Sequence, residues 1–209
     1  MAPAALASLL LRGETDAART VLLDQFRRGR PMDELLDRLV APALVVVGDL
    51  WASGAIDVHA EHIATLHAWG ILRDLRDLVA APPRGAPLAL GAAPEGDPYL
   101  LPCVMAEMTL ADLGWATVSS GPHTPLPALA QAVRTHRPRL VWLSMAARDG
   151  PPGFVERYAE LREAARAAGA SVMLGGQGLT PELQDGLVAS AFGTRLAHLR
   201  AFAETLARR

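Results

Sequence analysis

The sequence predicts a two-part α/β protein: an N-terminal four-helix bundle, then a doubly wound parallel five-stranded domain of Rossmann-like, flavodoxin-like layout. Three observations predict it. Apolar positions recur at helical spacing through the first 80 residues, and a Pro- and Gly-rich stretch follows at 80–85. Beyond that stretch, short apolar runs alternate with helical segments. The expected domains are 1–80, helical, and 86–209, α/β.

Each helix of the first part carries its own punctuation. Leu6, Leu9 and Leu10 share a face, and the chain turns at Arg12-Gly13-Glu14. The second helix is expected from Thr15, as N-cap, to Phe26, with Ala18, Val21 and Leu22 turned inward. Gly29 and Pro31 separate it from the next, since Gly suits a left-handed cap and Pro a fresh start. The third helix is expected over about 32–51, with Leu35, Leu36, Leu39, Leu44 and Val47 as its stripe. Ser53-Gly54 breaks it, and a fourth is expected from about 57 to 79. Short connections make such helices a bundle.

In the second part, strands are expected at 87–92, 116–119, 140–143 and 172–174, with a weaker fifth at 188–192. Helices are expected at 99–113, 126–135, 154–168 and 195–207. This alternation implies a parallel sheet covered on both faces. Ligands of such sheets sit outside the carboxyl ends of the strands.

Composition narrows the function. About half of the 209 residues are apolar, enough for a core without disulfides, and the single cysteine, Cys103, excludes a disulfide framework or a multi-cysteine zinc site. A net charge of −2 argues against direct nucleic-acid binding, which needs a basic face. The apolar start at 1–11 lacks a basic leader and reads as the first helix. No apolar run reaches the roughly 18 residues that span a bilayer, so no membrane role and a cytoplasmic location are expected. Phosphate-loop, nucleophile-elbow and dinucleotide fingerprints are missing. Glu95, Asp97 and Asp149 lie near strand ends, where solvated loop charges are expected rather than a catalytic pair.

The four loops at the carboxyl edge are unusual together. The first, 94–102, holds Asp97 and Tyr99; the second, 120–125, holds His123. The third opens with Ser144, and the fourth is Gly175-Gly176-Gln177-Gly178. Ser144 alone reads as a helix cap, and a glycine pair alone as turn chemistry. Adjacent glycines also let a ligand approach the backbone.

Trp51, nine intervening residues and Glu61-His62 resemble the helical cap of cobalamin-binding photoreceptor and regulator domains. The α/β half resembles the cobalamin-binding fold shared with methionine synthase, whose loops carry Asp-x-His-x-x-Gly, a serine motif and Gly-Gly. The resemblance covers about 6–207. It implies that Trp51, Glu61 and His62 line the upper face of a corrin, while Ser144, Gly175 and Gly176 receive the nucleotide tail. The departures are specific. Asp97 matches the family's Asp, but Tyr99 stands at its cobalt-ligating His, Pro102 at its Gly, and Ala52 at the light-exposed ligand of the photoreceptor subgroup. A phenol is a poor donor to cobalt beside a neutral imidazole. The axial candidates left are Tyr99 and His123, for which solvation on a surface loop is the alternative.

The resemblance implies a sensory or regulatory, non-enzymatic module for adenosyl- or methylcobalamin, with light-responsiveness as the form taken in the photoreceptor branch. Its output would pass through a regulatory protein partner or self-association. The alternatives are another tetrapyrrole (haem, or biliverdin attached at Cys103), a methyl-carrying corrinoid protein, or a cofactor-free antirepressor whose cleft is filled by Tyr99, Leu101 or Met145. His59, Glu61 and His62 could also hold a metal, although packing of His62 on a planar ligand is preferred.

Overall fold

A computed structural model describes residues 1–147 and 153–208 and divides into two compact units, Met1–Ala80 and Ala81–Arg209.

The first unit is all helix: α1 (Pro3–Leu11), α2 (Thr15–Arg27), α3 (Met32–Leu35), α4 (Ala41–Ala52) and α5 (Val58–Arg76). Thr15 is the first helical residue of α2 and not its cap; Glu14 takes the cap position. Its carboxylate is held by Arg12 at 2.6 Å and caps no N–H. The expected third helix is continuous but changes pitch. A π-helical turn, Leu36–Val40, joins α3 to α4, and Ala41 N–H donates to Leu36 O, five residues back. Pro42 explains it: proline has no N–H for the carbonyl four residues back, and its ring strikes that carbonyl in a regular α-helix. Asp57 caps α5, its carboxylate accepting Ala60 N–H at 2.7 Å. Leu6, Leu10, Leu22, Met32, Leu35, Leu36, Val47, Ile71, Leu72 and Leu75 make the core.

The second unit runs β1 (Leu88–Ala92), α6 (Leu100–Asp112), β2 (Ala116–Ser119), α7 (Leu126–His136), β3 (Leu140–Ser144), α8 (Phe154–Ala168), β4 (Ser171–Gly175), α9 (Pro181–Asp185), β5 (Ala191–Gly193) and α10 (Leu196–Ala207). The sheet is all parallel in the order β2-β1-β3-β4-β5, so the chain reverses its winding between β1 and β3. Side chains alternate between two cores. Leu90, Val141, Leu143, Val172 and Leu174 face α7 and α8; Ala89, Leu140, Trp142 and Met173 face α6 and α10. Trp142 lies flat against β1: a Cβ on Gly91 would fall 2.0 Å from its ring.

The fifth strand starts later than expected. Val188 is largely exposed, its carbonyl accepts the Tyr158 hydroxyl, and the Ser190 hydroxyl takes Val172 N–H in place of a ladder carbonyl. Among the described residues, no helix is long and apolar enough to cross a membrane.

Candidate functional site

Asp97 is the centre of the carboxyl edge. It is only 2% exposed, so it is a buried carboxylate and not the solvated loop charge expected. One carboxylate oxygen accepts the N–H groups of Ala146 (2.6 Å) and Ala147 (2.9 Å) from the loop after β3. The other accepts Tyr99 N–H at 3.1 Å, and the Asp97 carbonyl accepts His123 N–H at 3.0 Å. One residue therefore ties together the loops that follow β1, β2 and β3. Buried carboxylates need such donors. Glu95 does not pair with Asp97 but with Arg157 at 2.6 Å, and Asp149 lies outside the described residues.

Tyr99 immediately precedes α6 and is 55% exposed, so its ring does not plug the sheet edge; Leu101 and Met145 are the buried ones. His123 is also exposed and adopts a left-handed φ of 52°. The loop that bends it is clamped. Thr124 N–H donates to Ala93 O at 3.0 Å, Ala93 N–H to Gly121 O at 3.0 Å, and Pro94 and Thr124 form a parallel bridge beyond the strand ends. The buried Thr124 hydroxyl bonds the carbonyls of Ser120 and Gly121. Sequence reasoning missed Thr124, although a threonine beside Gly, Pro and His in one short loop is the signal for such a clamp.

Ser144 ends β3 and is 8% exposed, and its hydroxyl makes no hydrogen bond among the described residues. By strand alternation it lies on the face of Trp142, whose buried indole N–H is also unpartnered. The sequence reading passed over Trp142, for nothing local distinguishes it from a core tryptophan. The glycines of the fourth loop serve close approach, but of the chain to itself. A Cβ on Gly176 would lie 2.1 Å from Met145 O, and one on Gly178 2.0 Å from Ala147 O. Gly175 pairs with Ser144 in the sheet and abuts Gly193 O.

In the helical unit, Trp51 is half exposed in the last turn of α4, and His62 is exposed near the start of α5. Glu61 is partly buried and accepts the Thr65 hydroxyl at 2.9 Å; it lies 3.8 Å from His62 Nε2. His59 is exposed, and among the described residues no three His, Cys, Asp or Glu side chains cluster as metal ligands. Cys103 is fully buried on α6, and that burial pushes its thiol up to about 12. It is a packing residue, closed to covalent attachment of a bilin.

Residues 4–67 match the family described as the B12 binding domain. A structure of the monomethylamine corrinoid protein of Methanosarcina barkeri covers 96% of this chain and 96% of its own, with a TM-score of 0.74 at 16% identity. Over its helical unit the chain belongs to the B12 binding domain family. Two further proteins are similar to it. The HTH-type transcriptional repressor CarH of Myxococcus xanthus is 30% identical over 162 residues, which are 72% of this chain and 53% of CarH, so the chain spans about half of that relative. The methanol:cobalamin methyltransferase complex MtaBC of Methanosarcina barkeri matches 98% of this chain and 79% of its own, with a TM-score of 0.51 and 16% identity. At that identity the solved structures establish shared fold and nothing of chemistry.

Proposed function

We propose that the protein is a corrinoid-binding sensory or regulatory module that seats its ligand at the carboxyl edge of the sheet. The observation that carries this is the end of β3, where the winding reverses: Ser144 makes no side-chain hydrogen bond among the described residues, so its hydroxyl is left for a ligand at the place where ligands of such sheets bind. Gly175 and Gly176 shape that edge by letting the fourth loop pack against Gly193 and Met145. In the helical unit, taken by itself, the resemblance points to Trp51, Glu61 and His62 as corrinoid-binding residues, and Trp51 is half exposed there.

The donor set fits a corrinoid only in part. Ser144 suits the polar tail. Tyr99, however, puts a phenol where the resembled motif implies a lower imidazole, and a phenol is a poor cobalt donor near neutral pH. When bound, a corrinoid supplies a photolabile or transferable cobalt–carbon bond. In the α/β unit, Asp97 would fix the three loops around it and Ser144 would hydrogen-bond it. The likeness to the transcriptional repressor CarH favours a regulatory reading, and the light-responsive form of that reading takes adenosyl- or methylcobalamin as its ligand. The output then passes to a protein partner or through self-association.

Methyl carriage is the second reading, and the shared fold is compatible with it without favouring it. Neither haem nor biliverdin draws support from the three relatives, and the buried Cys103 removes the route to a bound bilin.

The test is retention of colour after desalting, following separate incubation with adenosylcobalamin, methylcobalamin, haemin and biliverdin. Corrinoid bands that change on illumination are expected. A Soret or far-red band, or no colour in any case, would overturn the proposal. Stable methylcobalamin that is demethylated only by an added methyltransferase would transfer the argument to methyl carriage.

A further inference from the structure

We propose that His123 supplies the axial imidazole that position 99 lacks, an inference that rests on the corrinoid reading above. Two independent features of the α/β unit lead to it. The first is placement. His123 N–H is bound by the Asp97 carbonyl, and Tyr99 N–H by the Asp97 carboxylate, so the two residues are set side by side on one anchor although 24 positions (123 − 99) separate them. In the Asp-x-His motif that this loop resembles, the residue two after the Asp is the one implied to reach cobalt. The residue hydrogen-bonded to the same Asp from the neighbouring loop stands at the same end of the sheet.

The second feature is backbone strain held on purpose. His123 adopts a φ of 52°, a left-handed conformation that side chains with a Cβ resist. Two residues earlier the same loop meets the same demand with a glycine, Gly121 at 77°. A glycine at 123 would relieve the bend, yet the loop carries an imidazole there. Thr124 holds the bend in place with its backbone N–H to Ala93 O and its buried hydroxyl to Ser120 and Gly121. The imidazole itself is exposed and makes no hydrogen bond among the described residues, so neither ring nitrogen is engaged by them. Neutral imidazole is a good ligand for a borderline metal such as cobalt, and binding it needs loss of a proton only from the imidazolium form.

The experiment is electron paramagnetic resonance of the full chain loaded anaerobically with cob(II)alamin, prepared with and without nitrogen-15 histidine. A histidine ligand changes the superhyperfine pattern on the cobalt lines from triplets to doublets upon labelling. The internal benzimidazole of cobalamin gives triplets whatever the protein label. Doublets are expected, and their loss in His123→Gly, a variant that relaxes the bend and so retains the fold. Retained corrinoid with triplets in labelled protein, or with no nitrogen splitting, overturns the inference and leaves the corrinoid reading standing. Doublets that survive His123→Gly also overturn it, because another histidine is then the ligand. Protein that retains no corrinoid overturns both.

Discussion

Replacing Asp97 tests the tie that builds the carboxyl edge. Asp97→Ala removes three hydrogen bonds to a buried carboxylate: from Ala146 N–H at 2.6 Å, Ala147 N–H at 2.9 Å and Tyr99 N–H at 3.1 Å. Bonds to a charged partner contribute about 1.5–3 kcal/mol each. Tyr99 is exposed, so water replaces its lost partner and that bond counts for little. The other two give about 3–6 kcal/mol. Relief of the buried charge offsets part of it, leaving a loss of about 2–4 kcal/mol. With a urea slope of about 1.5–2 kcal/mol per molar, the midpoint falls by about 1–2.5 M. Asp97→Asn keeps one oxygen for Ala146 and Ala147 but turns an NH2 group toward Tyr99 N–H, so about 1–2 kcal/mol is lost. The assay is urea unfolding followed by the fluorescence of Trp115 and Trp142, both buried in the α/β unit, whereas Trp51 and Trp69 are exposed in the folded state. A midpoint shift for Asp97→Ala below about 0.3 M would show that the loops hold without the carboxylate and refute the reasoning.

Three further outcomes are expected. Gly91→Ala destabilises the α/β unit by about 2–4 kcal/mol, because its Cβ meets the Trp142 ring, and Trp142→Leu in the same chain restores most of that loss in urea unfolding. Ser144→Ala leaves the urea midpoint within about 0.5 kcal/mol of the parent, since no protein bond is lost, while weakening corrinoid binding by about 3–10-fold in equilibrium titration. At alkaline pH, burial holds Cys103 and Tyr158 protonated to about 12, above their unfolded values of 9.0 and 10.0. The folded state then keeps protons that the unfolded state has released, so stability falls as pH rises from 9.0 toward about 12. The slope is about 1.4 kcal/mol per pH unit for each group, and Cys103→Ala removes the cysteine share in urea melts across that range.

The elements with strong local signals were legible in the sequence. Helix α8 was read at both bounds because Gly153 and Gly169, each with positive φ, frame its apolar stripe. Helix α9 was missed: five residues are too short for periodicity, although Thr180, whose hydroxyl accepts Leu183 N–H, followed by Pro181 was a start signal. Strand β5 was misplaced because Val188 looked like a strand residue, whereas its carbonyl is taken by the Tyr158 hydroxyl, 30 positions away. The site was legible as a set of loops and not as a set of contacts. The partners of the Asp97 carboxylate are backbone groups 49 and 50 positions distant, and backbone groups leave no trace in residue identities. The π-helical turn before Pro42 was hidden for the opposite reason: the chain absorbed the proline without breaking the stripe.

Asp97 binds only main chain: the N–H groups of Tyr99, His123, Ala146 and Ala147, none of which depends on the side chain its residue carries. The scaffold of the rim is thus uncoupled from the identity of the side chains displayed on it. The side chains at positions 99 and 123 can change while the loops keep their course. Such a rim is free to drift in chemistry without drifting in shape, one residue at a time.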